Sequence, residues 1–572
     1  MTIIGEQQTE GATNFQRPPE TTTHSVHNQP SEFGQFNWFT SDAVLRESVN
    51  REGAAWAEDR LARLGANVGG EPREWGRQAN ENPPVLHTHD RFGNKVNRVE
   101  FHPSYHRLMT LSLEAGIGGS PWREPQSGAH VARAAAAMLT GQVDAGHICP
   151  VSGTYASVAA LRHQPDLAAT WEPLLSAPHY DPSDISPWQK TSVTCAMGMT
   201  EKQGGSDVRA NTTTATPIGS GGPGQEYLLR GHKWFFSAPM CDLGLFLAQT
   251  PEGLSCFLMP RRLPDGEINN FRLIRLKDKL GNRSNASSEI EFDGAWAQLV
   301  GEPGRGVATI IEMVNHTRLD CLVGSAAGMR YGVARAIHHA SERSAFGALL
   351  VDQPLMQNVL ADLAVESEAA TILAMRIAGS FDRAQDSEHE AHIKRLGTAV
   401  SKYWVCKRLP RHSYEVLEAH GGNGFITESG IPRLYQEAPL MSVWEGTGNV
   451  MCLDVLRAMA KEPASLEAFF VEVERVRGSD HRLDAMIDAT KAELSSFDDI
   501  QLRARRIVEM MALTLQAALT IQHADPAVAD AYLASRLEQA GHEYGTLPTG
   551  LAHRAIIDRH SPHAFDSSVS LP

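Results

Sequence analysis

The sequence predicts an α+β multidomain chain: an N-terminal helical domain, a middle antiparallel β-domain, a helical bundle and an additional C-terminal helical domain. Three observations carry that prediction. The chain has 572 residues, too many for one core when domains usually hold about 100–200. Apolar residues recur at helical spacing on either side of a central stretch whose segments are short and strand-like. The texture changes near Pro187 and again after Gly306, at residues that interrupt regular structure.

Residues 1–32 are polar, rich in Thr, Gln, Pro and His, and read as a loosely held arm. Residues 33–190 form the first helical domain: Ala43 to Leu64 is periodic, and Val131 to Leu139 is Ala-rich, which costs a helix little side-chain entropy. Residues 191–299 form the β-domain, from SVTCAMGM, EYLLRG, KWFFS, LGLFLAQT, LSCFLMP and SEIEF, parted by Gly, Pro, Asn and Asp. Residues 300–453 form the bundle, with long helices over Ala308–Ala345, Leu355–Ala378 and His389–His420. In the second of these Leu355, Val359, Leu363, Ala370, Leu373 and Ile377 share a face. Residues 454–572 form the last domain, helical from Leu453 to about Arg559 with breaks at Pro463 and Pro526.

Composition removes several function classes. No apolar run approaches the ~18–20 residues that span a bilayer, and the first residues lack a basic stretch followed by an apolar one, so a cytoplasmic protein without a membrane role is expected. Seven dispersed cysteines without Cys-x-x-Cys argue against a disulfide framework and a structural zinc site, and predict buried free thiols. A net charge of −15 speaks against a general nucleic-acid binder, which needs a basic surface. Gly219-Ser-Gly221-Gly222-Pro223-Gly224 fits G-x-G-x-x-G literally, but it precedes a strand and contains proline, so it reads as a turn. His102 and His106 are four apart with Pro103 between them and no identifiable carboxylate partner; no metal site is expected.

Three separated segments carry the chemistry. Met197-Gly-Met-Thr200-Glu-Lys-Gln-Gly-Gly205-Ser206-Asp-Val208 leaves a strand for a loop with paired glycines, where backbone N–H groups can approach an anion. Gly231-His-Lys-Trp234-Phe235-Phe236-Ser237 is an aromatic strand ending in a hydroxyl, read either as core or as the wall of a planar, partly polar ring system. Gly421-Gly422-Asn-Gly-Phe425 is followed by Val443-Trp444-Glu445-Gly-Thr447-Gly-Asn449, which sets a carboxylate among glycines beside an indole. A carboxylate against apolar surface has its pKa raised toward what a general base needs, although a lone Glu is as readily a solvated side chain.

With these segments the chain resembles the acyl-CoA dehydrogenase family. TEKQGGSD matches the family's T-E-x-x-x-G-S-D loop, HKWFFS its flavin-facing strand, and Arg343-x-x-Phe346-Gly347, Gly421–Phe425 and Trp444–Thr447 three further motifs. The segments THSVHNQP, REGAAW, FHPSYH, HTRLD, QPLMQ, HGGNGFI and EGTGNVMCLDVLR are similar to the AidB branch of that family, over roughly residues 23–560.

The resemblance implies an acyl-CoA dehydrogenase-like fold and FAD as cofactor, held by Met197, Thr200, Gly205, Ser206, Trp234, Phe235, Phe236 and Ser237. Where typical members have Trp-Ile-Thr, this chain has Trp234-Phe235-Phe236, which moves the hydroxyl expected at flavin N5 one place on, to Ser237. Arg343, Phe346, Gln353, Gly421 and Gly422 are implied to reach a neighbouring subunit's flavin, so a homo-oligomer, a tetramer, is expected. Val443, Trp444, Thr447 and Asn449 are implied to close over the cofactor. Glu445 corresponds to the catalytic base; the alternative position on an earlier helix holds Thr317 before Arg318.

AidB-like proteins are associated with defence against DNA alkylation and with DNA binding through the C-terminal region. Residues 454–560 carry 12 Lys+Arg against 17 Asp+Glu, so any contact with double-stranded DNA is expected to be weak and salt-sensitive. Its candidates are Arg457, Arg503, Arg505 and Arg506, a cluster whose usual explanation is a solvated helix face. Three readings follow: an AidB-type FAD protein of the alkylation response with weak dehydrogenase activity; an active dehydrogenase of a short or branched acyl-CoA that passes electrons to an electron-transfer flavoprotein; or a non-enzymatic, flavin-stabilised protein that shields DNA.

Overall fold

A computed structural model describes residues 23–562 apart from Gln35 and Ala540; residues 1–22 of the expected arm and the last ten of the C-terminal domain lie outside it. The helix expected over Ala43–Leu64 is two, Ala43–Arg51 and Glu58–Val68, parted at Gly53, whose φ is +89°. Asp42 caps the first by accepting from Leu45 N. Helices Pro103–Glu114, Ala129–Gly141, Ile148–Leu161 and Pro165–Leu175 follow. His102 caps the first of these by accepting from Ser104 N at 3.2 Å, and His106 Nδ1 lies 3.2 Å from the Tyr180 hydroxyl, so both histidines have local structural partners. An antiparallel hairpin, Val85–His89 with Lys95–Glu100, interrupts these helices. Its HTHDRFGNKV turn carried the hairpin signal of alternating residues about Asp and Gly, a period-2 pattern inside a segment read as helical.

The β-domain begins with Cys195–Gly198 and contains seven strands in one sheet. It is mostly antiparallel as expected, but Cys195–Gly198 runs parallel to Leu243–Thr250. The stretches EYLLRG and KWFFS are one strand, Glu226–Phe236, paired along its length with Ser288–Val300. The glycines between Thr214–Pro217 and Glu226 form the expected turn, with Gly219, Gly221, Gly222 and Gly224 all at positive φ. One face of the sheet packs on Ile148–Leu161 and Pro165–Leu175 through Tyr155, Leu161, Trp171, Leu245 and Leu258; the other encloses Phe236, Phe246, Phe257 and Phe292.

The bundle is built on Gly306–Glu342, Pro354–Arg383 and Thr398–Ala419. Pro354–Arg383 departs from a simple amphipathic helix. Leu355, expected on the apolar face, is 85% exposed, whereas from Leu360 to Phe381 nearly every residue is buried. The cause lies on two sides: Ile500–His523, Pro526–Leu533 and His553–His560 of the fourth region, and Ala43–Arg51 and Ala129–Gly141 of the first domain, pack on this helix and cover the face that would otherwise meet water. Pro463 and Pro526 each stand at a first helical position, where proline's missing N–H costs nothing. All seven cysteines are free, and six are buried.

Candidate functional site

Glu445 sits on a backbone that side chains avoid, with φ +56°, followed by Gly446 at +103°. Such a conformation costs about 1–3 kcal/mol at a non-glycine residue, so something must hold it. Two buried cations do. Lys402 Nζ donates to the carbonyls of Trp444 (2.9 Å) and Gly446 (2.6 Å), and Arg318 Nε donates to the carbonyl of Glu445 (3.1 Å). Arg318 is itself fixed by Asp454 at 2.9 Å, and Asp454 by Arg395 at 3.0 Å. Three consecutive carbonyls thus aim the Glu445 side chain. The sequence signal for this clamp was a lysine at a core position of an apolar helix, AVSKYWVC, which motif reading passes over.

The carboxylate points into a cavity of about 80 Å3, lined among others by Cys149, Ser152, Met197, Ser237, Thr317, Asp320 and Trp444. Burial raises the Glu445 pKa, opposed by the Thr317 hydrogen bond at 2.7 Å and the charges of Arg318 and Lys402. Thr317, the residue at the alternative base position, therefore serves Glu445 directly. A second carboxylate, Asp320, is matched by Arg133, whose Nη2 lies 2.8 Å from it, and by the Ser152 hydroxyl. That leaves Glu445 as the carboxylate in this cavity without a bidentate cation.

Two predicted segments meet at this wall. Met197 and Ser237 both line the cavity, and Trp234 N donates to the Thr200 carbonyl at 2.8 Å, tying the loop to the aromatic strand. The loop is anchored by Glu201, which accepts from Lys233 Nζ (2.7 Å) and from the backbone of Thr212 and Thr213. Gly205 is required there, because a Cβ would lie 2.3 Å from Thr200 Oγ1. The Phe236 side chain is 3% exposed and packs on Phe246 inside the β-domain, so its ring does not line the cavity. The pairing shifts by one residue between Lys233 and Phe236. This bulge turns both side chains inward and delivers the Ser237 hydroxyl to the site. The extra phenylalanine is absorbed by the backbone.

The wall has features that suit a flavin: a thioether (Met197) and a hydroxyl (Ser237) line it, and Trp444 Nε1 is buried without a hydrogen-bond partner among the described residues. The Trp234 indole, tied to the loop through its backbone, does not line the cavity and has Lys277 Nζ 3.1 Å from its ring centroid.

The other implied residues lie elsewhere. Arg343 Nη1 donates to the Asn28 carbonyl (2.7 Å), and Asn28 also exchanges side-chain bonds with the Ser344 backbone. Gln29 reaches Asn423 at 3.4 Å. The described part of the arm is therefore docked, and it joins the Arg343 turn to the Gly421–Gly424 segment. Gln353 Nε2 is bound to the Ala345 carbonyl of the same turn. Phe346 has φ +52° and a fully exposed ring. None of Arg343, Phe346, Gln353, Gly421 and Gly422 lines the cavity of Glu445. Val443 and Thr447 are exposed beside it, and Asn449 accepts from Arg505 Nε at 2.8 Å.

Of the candidate DNA contacts, Arg503 is engaged internally. Its guanidinium donates to the carbonyls of Glu493 (2.8 Å), Ser496 (2.7 Å) and Asp498 (2.9 Å), closing the turn before its helix. Arg506 lies 3.4 Å from Glu493 and Arg457 3.9 Å from Asp454, both largely exposed. Among the described residues no helix is long and apolar enough to cross a membrane.

Comparison with known proteins matches three family models: the adaptive response protein AidB N-terminal domain over residues 28–182, the acyl-CoA dehydrogenase middle domain over 196–295 and the acyl-CoA dehydrogenase C-terminal domain over 304–460. The chain is 42% identical to the putative acyl-CoA dehydrogenase AidB of Escherichia coli, covering 91% of this chain and 95% of that one. It is 31% identical to acyl-CoA dehydrogenase family member 11 of Caenorhabditis elegans, over 86% and 85%. Among solved structures, C. elegans ACDH-11 in complex with C11-CoA superposes with a TM-score of 0.82 at 28% identity, covering 91% and 92%. A Bacillus anthracis acyl-CoA dehydrogenase complexed with FAD shares the fold, with a TM-score of 0.59 at 19% identity over 75% and 79%.

Proposed function

The chain belongs to the acyl-CoA dehydrogenase family, in its AidB branch, and from that premise we propose that it is an FAD-dependent oxidoreductase acting on the Cα–Cβ bond of an acyl-CoA thioester. The observation that carries this reading is Glu445: a carboxylate held on a strained backbone by Lys402 and Arg318, aimed into an apolar cavity that raises its pKa. Met197, Thr200, Trp234, Ser237 and Trp444 are the residues that would hold the flavin. FAD, when bound, supplies the acceptor for the hydride that leaves the β-carbon.

The rest belongs to this chain. The cavity excludes water around the thioester, Glu445 takes the α-proton, and Lys402 and Arg318 keep its carboxylate in line. The Thr317 hydroxyl stabilises the ionised base before transfer. Arg133 neutralises Asp320, so that a second negative charge does not oppose the first. The solved relative with C11-CoA supports an acyl-CoA as ligand. Phe346, exposed on a strained turn away from the cavity, suits a role toward a second subunit's flavin, which makes the working unit a homo-oligomer with the tetramer as its expected form.

The adaptive-response name of the matched N-terminal domain supports a cellular role in the response to DNA alkylation. In the test, purified yellow protein is titrated anaerobically with acyl-CoAs. Glu445→Gln keeps the flavin and its colour but loses acyl-CoA-dependent bleaching by at least ~100-fold, the usual share of a general base. Equal bleaching by the variant removes Glu445 from the role.

A further inference from the structure

The arm enters the fold at Phe33. Its ring is 7% exposed and meets Tyr331 and His338 of the helix Gly306–Glu342 edge-on, with centroids 5.9 and 5.4 Å away. From that anchor the preceding residues run along the end of the same helix. Ser31 N and Oγ both donate to the Glu342 carboxylate, and His338 Nε2 lies 2.9 Å from the Ser31 carbonyl. Beyond Ser31 the arm reaches the turn that follows the helix.

That turn is a tight hairpin, Ser344–Ala345 paired with Ala348–Leu349, with Phe346 (φ +52°) and Gly347 (φ +84°) at its tip. Two left-handed residues in succession suit the twist of a two-residue hairpin, but phenylalanine takes that conformation at a cost. Its ring is fully exposed, so packing among the described residues does not offset that cost. The hairpin is held at its base instead. On one side Gln353 Nε2 donates to the Ala345 carbonyl at 2.7 Å. On the other, the Asn28 amide pairs with Ser344 as a neighbouring strand would: Oδ1 accepts from Ser344 N (2.6 Å) and Nδ2 donates to the Ser344 carbonyl (2.9 Å). Asn28 is itself left-handed, φ +55°, a conformation that asparagine adopts more readily than most side chains.

The same segment engages Arg343. Its Nη1 donates to the Asn28 carbonyl at 2.7 Å and lies 3.4 Å from Gln29 Oε1. Both bonds use Nη1, which leaves the Nε–Nη2 edge, one that can take a phosphate or carboxylate bidentately, without a hydrogen-bond partner among the described residues. Gln29 Oε1 also accepts from Asn423 Nδ2 at 3.4 Å, so it bridges the turn to the Gly421–Phe425 segment. A Cβ on Gly422 would meet nothing within 4 Å. No contact among the described residues calls for glycine there, whereas a molecule laid against that backbone would.

We propose that Asn28 and Gln29 are positioning residues for a second subunit's flavin site. The arm is a strap that holds the Arg343 turn in its binding form and in register with the Gly421–Phe425 segment. The inference rests on the shared-flavin reading and adds what fixes the contributing surface. A turn that holds its binding form only part of the time binds with an affinity reduced by that fraction. Loosening the strap of one chain should therefore weaken the flavin of the other chain and not its own.

The test follows release of FAD from the loaded full-length protein. Asn28→Gly keeps the left-handed backbone and removes both Ser344 bonds; it should raise the dissociation constant about tenfold, the scale of one or two neutral hydrogen bonds. Arg343→Ala, which reads the shared site itself, should raise it at least ~10-fold. A second measurement mixes chains. Gly205→Val disables a chain's own flavin loop, because its side chain would collide with Thr200, but leaves its arm intact. In oligomers purified through two tags from co-expressed Asn28→Gly and Gly205→Val chains, flavin on the Asn28→Gly chain should regain its unaltered affinity. A role confined to one chain gives no such recovery. If mixed oligomers do not form, exchange of the Ser344 amide serves: loading FAD should slow it about tenfold, because coupling between two sites is reciprocal. An affinity that ignores Asn28→Gly but not Arg343→Ala, a loss that persists in the mixed oligomers, or an exchange rate that ignores FAD would overturn the strap and keep the shared site. An affinity that ignores Arg343→Ala as well would overturn both.

Discussion

Thr317 Oγ1 has one proton and two acceptors within reach, Glu445 Oε2 at 2.7 Å and the Val314 carbonyl at 3.0 Å. When Glu445 is ionised the hydroxyl donates to it. When Glu445 holds a proton the carboxyl donates to Thr317, and Thr317 turns its own proton to Val314. Both protonation states of the base are thus satisfied without moving a heavy atom, as a group that takes and returns a proton requires. The hydrogen bond favours the ionised form and works against burial, which raises the pKa. Thr317→Val should raise the Glu445 pKa further, displacing the pH profile of acyl-CoA-dependent bleaching to higher pH. At neutral pH the bleaching rate should fall about tenfold, the scale of one charge-assisted hydrogen bond. Thr317→Ser should restore the profile. A valine variant with an unmoved profile would leave Thr317 a packing residue.

At the scale of elements, the helix Pro354–Arg383 explains how the fourth domain is keyed to the bundle. It carries Asp362, Glu366, Glu368 and Arg376 on buried positions, and each is answered from another element. Arg536 reaches Asp362 at 2.6 Å and Glu366 at 3.0 Å, Arg408 reaches Glu366 at 2.9 Å, Arg559 reaches Glu368 at 3.0 Å, and Glu472 meets Arg376 at 2.7 Å. The apolar periodicity of this helix was legible, but its partner face was not, because charged residues opposite an apolar stripe ordinarily face water. The bulge at Trp234–Phe235 escaped for a related reason: pairing register depends on the opposite strand, and the aromatic run alone does not show which ring turns inward. Although burial works to raise them, their cationic partners hold Glu366 and Glu368 down to about 2. Their unfolded values lie near 4.3, so the folded pKa is the lower one. The stability they contribute is complete above about pH 4.3 and is lost as pH falls toward 2. Urea unfolding midpoints should accordingly drop across that window. Glu366→Gln should flatten the drop and cost about 3 kcal/mol at neutral pH, since it leaves Arg408 and Arg536 buried with one partner fewer. A midpoint indifferent to pH between 5 and 2.5 would mean that these pairs do not key the domain.

For the whole molecule, the order of helices, sheet and helices was readable because each domain has its own period, whereas the Glu445 loop stood out only together with the other two segments, since a lone Glu reads as readily as a solvated side chain. Electrostatics is where the whole and the part disagree. The chain carries −15, and a duplex is repelled unless a local basic surface outweighs that field. Arg503, Arg505 and Arg506 stand together on the helix Ile500–His523, yet they are not equivalent. Arg503 closes the preceding turn with three carbonyls, and Arg505 is engaged with Asn449 beside the catalytic loop. Arg506 and Arg457, with side chains 71% and 63% exposed, are the members of the set able to meet a phosphate without giving up an internal bond at 3.2 Å or less. Two such contacts release about two counterions, so the logarithm of the association constant should fall against the logarithm of salt with a slope of about −2. Measured by fluorescence anisotropy with a labelled duplex, binding should be detectable at ~20 mM salt and absent by ~0.2 M. Arg457→Glu together with Arg506→Glu should abolish it while the flavin remains bound, whereas Arg503→Glu should first destabilise the fourth domain. Binding that survives ~0.2 M salt, or that ignores the double reversal, would place the duplex on a different surface of the protein.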